Sequence, residues 1–450
     1  MVQPNIPSTK LPRIVIVGGG FAGINLAKAL KNAPVQVVLL DRNNYHLFQP
    51  LLYQVATAGL EPDSIAFPLR GIFKKYKNLH FRMAEVRSVD TANNTLDTGI
   101  GEIKYDYLVL CNGTNTNFFG NEEIAQHAIG MKSLIEAVQI RNYVLKQFEE
   151  SLLFTDPEVI KSKLNFVMVG GGPTGVELAG AFAELKKYIL PKDYAELPIQ
   201  YMNVYLIEAG PRVLAGMTEK SSERTKEALE KLGVHVLTGI GVKAYDGQTV
   251  TLSDGQAIRT QSLIWAAGVK GFPIEGLQKE VLLPNGRILV DDKNLVQGTS
   301  NIYAVGDLAQ MTNDERFPKG YPQVAQVAMQ QGKNVGQNFK RLLNKEPLKP
   351  FKYKDLGSMA TIGRNHAVSE FAGLKLYGYI AWIAWMVVHL LNLMGFRNKM
   401  VTVMNWVYRY FTYDMGTRII IKRGAANIVK LRQTVTDIDP VDPAKKQLPA

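Results

Sequence analysis

The sequence predicts an α/β fold, with two Rossmann-like dinucleotide-binding units followed by a C-terminal helical region that associates with a membrane. Three observations carry this reading. A glycine-rich turn, Gly18-Gly19-Gly20-Phe21-Ala22-Gly23, follows an apolar run at residues 13–17 and opens an Ala-rich stretch at 24–30. The same arrangement recurs at Gly170-Gly171-Gly172-Pro173-Thr174-Gly175, after 164–169 and before 176–185. Residues 376–396 contain no Asp, Glu, Lys or Arg and concentrate aromatic and aliphatic side chains.

A lone G-x-G-x-x-G is weak evidence, but a buried strand before it and a helix after it strengthen both copies. The first glycine of each turn permits a tight bend. The second lets backbone N–H groups reach a pyrophosphate, and the third lets helix and strand pack closely. After the first helix, a strand at 35–40 ends at Asp41, about 20 residues past the turn, where an acid reaches a ribose hydroxyl pair. The second copy has its strand at 201–207 and its acid at Glu208, the interval lengthened by an insertion between Lys186 and Pro198. Glu208 would repel a 2′-phosphate and no Arg follows it directly, so the second site favours a nucleotide without that phosphate. The competing reading of each acid is an exposed strand-end residue.

Short alternating segments lie between the units, at 78–85, 95–107 and 108–110, and read as a three-stranded insert covering the first unit. A comparable set at 234–237, 249–252 and 263–265 points to internal duplication. Residues 301–307 read as a final strand ending in Gly306-Asp307, where Asp307 is placed to accept hydrogen bonds from the ribityl chain of a flavin.

At 450 residues, with 46% hydrophobic and 20% charged, the chain predicts about three domain-sized folded units. Its one cysteine, Cys111, excludes an internal disulfide, a redox-active cysteine pair and a four-cysteine metal site, so electrons cannot leave through a dithiol within the chain. No metal site is predicted. The net charge of +12 comes without a basic arm or recognition-helix pattern, which points to an anionic membrane surface and away from nucleic acid. Residues 1–12 hold no apolar signal core, which predicts a cytosolic start, and 435–450 read as a disordered tail.

Three longer motifs resemble one family in order: residues 41–56 (DRNNYHLFQPLLYQVA), the block 170–184, and Ala325-Gln326-Val327-Ala328-Met329-Gln330. The chain resembles the type II NADH:quinone oxidoreductases, single-subunit, non-pumping NADH dehydrogenases with a glutathione-reductase-like arrangement of two dinucleotide domains. The resemblance extends from the first turn to about residue 421.

It implies an FAD-binding domain at 1–125 and 290–350, an NADH-binding domain at 126–289, and a membrane-anchoring region at 351–434. Non-covalent FAD would meet Gly18, Gly20, Phe21, Ala22, Gly23, Asp41 and Arg42, together with His46, Val86, Gly113, Asp307, Ala325 and Gln326. NADH would meet Gly170, Gly172, Pro173, Thr174, Gly175, Glu177, Glu208, Ala267 and Gly268. The implied reaction passes two electrons from NADH through FAD to a membrane quinone, ubiquinone or menaquinone, in a respiratory chain without proton pumping. Glu177 would place the nicotinamide and take part in proton movement; the bland reading is a first-turn acid complementing the helix dipole. Gln326 and Gln330, four apart and on one helix face, would border the flavin edge and the quinone pocket. Cys111-Asn112-Gly113 departs from the family's usual Ala-Thr-Gly, and the thiol reads either as a small buried residue, the usual case, or as a reactive thiol near FAD.

Gly378, His389 and Asn392 interrupt the uncharged stretch, and 397–413 mixes Trp406, Tyr408, Tyr410 and Phe411 with Lys399 and Arg409, in the manner of an interfacial helix. The expectation is a peripheral, monotopic protein on the cytoplasmic face of the cell membrane; by its length 376–396 is also a candidate to span it, and a homodimer through this region is a further reading. Two other functions share the same cradles: a soluble NADH:acceptor flavoreductase, and an NAD-responsive binding or signalling flavoprotein.

Overall fold

The computed structural model describes residues 4–371 and 373–420; the segment 435–450 read as a tail lies outside the described residues. Two five-stranded parallel sheets organise the chain. In the first, the strand order is Ile302–Ala304, Tyr107–Leu110, Arg13–Val17, Gln36–Asp41, Leu79–Met83. In the second it is Ile129–Gly130, Ser262–Trp265, Asn165–Val169, Asn203–Glu208, Val234–Thr238. In both, the strand before the glycine turn is central, flanked by one strand from each winding direction, so the turn sits at the switch point of the sheet. The central strands are buried on both faces and read as apolar runs, such as Phe166, Val167 and Met168, each fully buried.

The segments read as covering inserts divide differently from the expectation. Leu79–Met83 and Tyr107–Leu110 are strands of the first parallel sheet, and Val234–Thr238 and Ser262–Trp265 belong to the second. The covers are the antiparallel triplets Val86–Asp90, Thr95–Thr98, Ile103–Lys104 and Val242–Tyr245, Thr249–Leu252, Ala257–Arg259. A short central strand and a short cover strand are alike in length, and only burial on both faces separates them.

Each turn opens a helix, α1 at Phe21–Ala29 and α2 at Pro173–Glu184. The two turns match in detail. Gly18 has φ +107° and Gly170 φ +111°. A Cβ on Gly23 would lie 1.9 Å from the Gly18 carbonyl oxygen, and one on Gly175 would lie 1.9 Å from that of Gly170. Here backbone packs on backbone with no room for a methyl group.

A third helix, α3 at Ala325–Leu343, returns to the first half and lies along α1, where a Cβ on Gly332 would stand 2.3 Å from the Ala22 carbonyl oxygen. The chain then forms a three-stranded antiparallel sheet, Ser358–Thr361, Ala367–Phe371 and Leu374–Tyr377, and two helices, α4 at Gly378–Asn392 and α5 at Phe396–Thr412. The uncharged stretch is thus broken into strand end, helix and turn by Gly378 at φ +66° and Gly395 at φ +85°. No helix among the described residues is long and apolar enough to cross a membrane. On α4 and α5, Ile380, Leu391, Phe396, Met404 and Phe411 are exposed.

Gly23→Ala and Gly175→Ala force a methyl group into backbone, a strain of about 1–3 kcal/mol or more. We expect Gly23→Ala to purify with little flavin and a lowered melting temperature, and Gly175→Ala to keep its flavin but melt earlier and bind NADH weakly. Gly20, whose Cβ would meet nothing in the protein, is the control: Gly20→Ala should leave the melting of flavin-free protein unchanged.

Candidate functional site

The first cradle begins where the Gly18 amide donates to the Leu40 carbonyl at 2.7 Å, drawing the turn beneath the second strand. Asp41 then accepts from the Gly19 amide at 2.6 Å and from the Asn43 amide at 2.7 Å. Burial raises the Asp41 carboxyl above its ordinary range, against the downward pull of these amides and Arg42. Behind the turn, His46 is buried and driven by burial to a pKa of about 4, so the ring is neutral. Its Nδ1 lies 3.2 Å from the Gly19 carbonyl, an acceptor, so Nδ1 carries the proton and donates. The ring of Phe21 stands edge-on to His46 at 5.0 Å.

This cradle opens into a cleft of about 610 Å³ lined by Gly18 to Ala22, Asp41, Arg42, Val86, Cys111, Gly113, Lys132, Phe272, Asp307 and Ala325. Most of the residues expected around a flavin come together here. His46 stands behind the glycine turn, and Gly23 packs inside it. Asp307 is held by Lys132 at 3.6 Å and by the Thr114 hydroxyl at 3.3 Å, and its turn is pinned by Gln331, whose side-chain oxygen accepts from the Gly306 amide at 2.8 Å. Sequence reasoning missed Lys132 and Gln331. Lys132 carries no motif, and Gln331 is hidden beside Gln330.

Gln326 and Gln330 stand differently from the expectation. Each side-chain amide clamps the extended segment after α3: Gln326 bonds the Gly357 carbonyl at 3.0 Å and the Leu356 amide at 2.9 Å, and Gln330 bonds the Lys354 carbonyl at 2.8 Å and its amide at 3.0 Å. Their one shared helix face is real, but it meets backbone at residues 354–357, with both donor and acceptor already engaged. The face of α3 toward the cleft is formed by Ala325 and Ala328.

The second cradle repeats the first. The Gly170 amide donates to the Ile207 carbonyl at 2.8 Å, and Glu208 accepts from the amides of Gly171 at 2.5 Å and Gly210 at 2.6 Å. The N-terminus of α2, with Pro173 at its first position, has no side-chain cap, and Gly172 faces open space. Free amides and the positive end of a helix are what a pyrophosphate needs. Ala267 abuts Gly170, and Gly268, at φ +135°, continues the rim beneath Phe119. Thr174 lies exposed in the first turn of α2.

Glu177 is no surface acid serving a helix dipole. It is buried on the side of α2 turned toward the C-terminal region, accepting from Trp385 Nε1 at 3.2 Å and the Thr361 amide at 3.4 Å, and burial lifts its pKa to about 8. It lines a second cavity of about 100 Å³, bordered by Tyr53, Glu184, Arg364, Trp382, Trp406 and Arg409 among others. A line of rings links this cavity to the first cradle: Phe21 to Phe48 at 6.0 Å, Phe48 to His389 at 6.2 Å, and His389 stacked on Trp385 at 4.0 Å.

The residues present fit FAD in the first cleft. Its volume lies in the range of ligand pockets, an acid closes the second strand, Gly20 leaves the space above the turn open, and Asn112 Oδ1 and His46 Nε2 are buried without a partner among the described residues. Two linked dinucleotide cradles in one chain define a flavin- and pyridine-nucleotide-dependent oxidoreductase.

The comparisons name the family. Residues 12–332 match the pyridine nucleotide-disulphide oxidoreductase family, and residues 356–413 match the NDH2 C-terminal domain. The type II NADH:quinone oxidoreductase Ndh of Mycobacterium tuberculosis is 35% identical over 96% of this chain and 95% of its own length. NdhA of the same organism is 37% identical over 88% of this chain and 86% of its own. In fold, the chain superposes on NDH2 from Plasmodium falciparum in complex with NADH, with TM-score 0.84, 22% identity, and coverage of 92% of this chain and 100% of that one. The chain belongs to the type II NADH:quinone oxidoreductases. Its fold also resembles a sulfide:quinone oxidoreductase from Aquifex aeolicus, TM-score 0.66, over 93% of this chain and 95% of that one; with Cys111 as its one cysteine, this chain has no cysteine pair of its own.

Two outcomes are expected. Glu208→Gln should narrow the ratio of kcat/KM for NADH over NADPH, and an unchanged ratio would remove Glu208 from the ribose site. For Glu177, the folded pKa of about 8 exceeds the ordinary 4.5, so the folded state binds more protons than the unfolded one between those values. Native stability should therefore fall as pH rises from about 4.5 to about 8, by on the order of 4–5 kcal/mol at most, and level off above. Melting curves against pH should show this decline flattened in Glu177→Gln.

Proposed function

We propose that the chain carries electrons between its two clefts and a quinone that arrives from a membrane on the side of α4 and α5. The activity is NADH:quinone oxidoreduction, NADH + H⁺ + quinone giving NAD⁺ + quinol, with FAD as the resident cofactor. FAD, when bound, supplies a centre that accepts a hydride and returns the electron pair to a second substrate.

The residues of the chain position and insulate that exchange. Gly18 to Ala22 and the start of α1 would hold the pyrophosphate, Asp41 the adenosine ribose, and Asp307, steadied by Lys132 and Thr114, the ribityl hydroxyls. In the second cradle, the free amides at the start of α2 would take the NADH pyrophosphate, and Glu208 its ribose. Quinol formation consumes one proton beyond the hydride. Glu177 is the group suited to lend it: burial keeps its carboxyl protonated near neutral pH, and it stands where α2 of the nucleotide half meets Trp385 of the C-terminal region. This junction is the observation that carries the reading. Gln326 and Gln330 support it indirectly, by anchoring residues 354–357 and through them the C-terminal sheet.

Membrane seating rests on the exposed apolar face of α4 and α5, including Ile380 at 67%, Leu391 at 69%, Phe396 at 79% and Phe411 at 77% exposure. With 15 and 17 residues, these helices suit lying in one leaflet. We place the protein on the cytoplasmic face, the side on which NADH is available, as a peripheral protein.

Anaerobic NADH should bleach the bound flavin, and a short-chain quinone should restore its colour; failure of either step sinks the reading. Glu177→Gln should slow the quinone-driven recovery more than the bleaching. Equal slowing of both would remove Glu177 from proton delivery. Met404→Asp with Phe411→Asp should release the protein from liposomes while leaving flavin reduction by NADH intact; if binding to liposomes persists and the variants instead lose a dimer in sedimentation, the face is an interface between two copies.

A further inference from the structure

Phe118 and Phe119 leave the ribbon that joins the two halves, and the second of them is held out into solvent. The ribbon is the antiparallel pair Thr114–Thr116 and Val269–Gly271. At one end Phe272, next after Gly271, borders the first cleft. At the other, Gly268 stands beside the second glycine turn, and the loop 117–120 closes over it.

This loop is tied down on three sides. The Asn117 amide donates to the Gly268 carbonyl at 3.1 Å, Trp265 Nε1 donates to the Asn117 carbonyl at 2.8 Å, and the Asn121 amide donates to the Phe118 carbonyl at 3.0 Å. Asn117 Oδ1 also accepts from the Phe119 amide at 2.9 Å. Phe119 is thereby fixed at φ +53°, in the left-handed region, where a bulky side chain is strained and Gly or Asn is at ease. Phe118 packs on Trp265 at 5.7 Å between ring centroids, whereas Phe119 is 67% exposed. Burial of the ring does not offset the strain, and strain of this kind gathers where a ligand is held. The ring lies over Gly268: a Cβ there would stand 3.3 Å from Phe119 Cζ.

The direction of a nucleotide across the second cradle decides what meets the ring. In that sheet the central strand Asn165–Val169 lies between Asn203–Glu208 and Ser262–Trp265. With the adenosine ribose at Glu208, the rest of a dinucleotide crosses the turn toward the opposite neighbour. The chain beyond that neighbour abuts the turn, since a Cβ on Gly170 would lie 2.7 Å from the Ala267 Cα, and Phe119 covers the very next residue. The ring therefore stands on the nicotinamide side of the pyrophosphate.

We propose, on the reading of the second cradle as the NADH site, that Phe119 is a substrate-binding residue whose exposed ring packs against the nicotinamide half of NADH. The rigid loop presents the ring before the nucleotide arrives, so little ordering is lost on binding.

Full-length, FAD-loaded Phe119→Asn is mixed anaerobically with NADH, and the concentration dependence of flavin bleaching gives Kd. Kd should rise about three- to tenfold, the worth of one aromatic contact. ADP carries the adenosine half and both phosphates without the nicotinamide, and its inhibition constant against NADH should stay at the parent value. Phe119→Tyr, which keeps the ring, should restore most of the NADH affinity. The melting temperature of Phe119→Asn should hold or rise, because asparagine tolerates φ +53° and little buried surface is lost. If Phe119→Asn retains too little flavin to assay, Phe119→Gly, equally at ease in this backbone, takes its place with the same expectations. An unmoved NADH Kd, or equal losses of NADH and ADP affinity, overturns the proposal. Glu208→Gln separates it from the reading beneath it. If that variant narrows the preference for NADH over NADPH while Phe119→Asn leaves Kd unmoved, the cradle stands and Phe119 is removed from it; if neither responds, both are wrong.

Discussion

Everything in this molecule hangs on one contact made twice: the carbonyl of the first turn glycine lying against the α-carbon of the last. At Gly18 and Gly23, and again at Gly170 and Gly175, no Cβ fits between turn and helix. That closeness brings the helix N-terminus over the end of the central strand, so its unpaired amides point into one small volume. The acid on the neighbouring strand then spans the turn, Asp41 to Gly19 and Glu208 to Gly171, and ties two strands and a helix into one rigid corner. Without the glycine pair the amides would point elsewhere, and the acid would be an exposed strand end.

A second constraint joins the corner to the rest. α2 begins at the nucleotide cradle and runs on to the C-terminal sheet and helices, with Glu177 about a turn in and Glu184 at its end. Trp385 and Thr361 close over Glu177, and the resulting burial sets its protonation. One helix therefore carries an anion-binding end, a protonated acid and the wall of an arginine-rich cavity. Movement of the C-terminal helices is coupled to the acid's environment, because the indole that bonds it belongs to α4.

The cradles were legible in the sequence because their physics is local. A glycine pattern, an apolar strand before it and an acid at the end of the next strand are all set by neighbours in the chain. Asp307 was legible for the same reason, although the strand before it ends at Ala304 and Asp307 itself lies in the short 3-10 turn Gly306–Leu308. The division of the short strands was not: whether Tyr107–Leu110 covers a sheet or lies within it depends on what packs on its second face. Glu177 was noticed but its surroundings were hidden, since Thr361 and Trp385 lie 184 and 208 residues away. The glutamines of α3 show the opposite failure. Their spacing correctly put them on one face, yet spacing is silent on what that face meets, and here it meets backbone at 354–357.

Two cradles so alike must still hold their nucleotides differently, and the difference lies above the turns. The first is roofed from both halves: Lys132 and Phe272 come from segments flanking the second sheet, Asp307 from the turn after the returning strand, and Ala325 from the start of α3. A ligand there is met from several sides by these elements. Above the second turn, Gly172 faces open space and the rim is only a glycine at positive φ beneath an exposed Phe119. A ligand there meets amides, one acid and one ring and can leave without disturbing the fold. The two corners are alike in backbone geometry; the larger number of elements meeting above the first suits a resident cofactor, and the open space above Gly172 suits a substrate that must depart in every turnover.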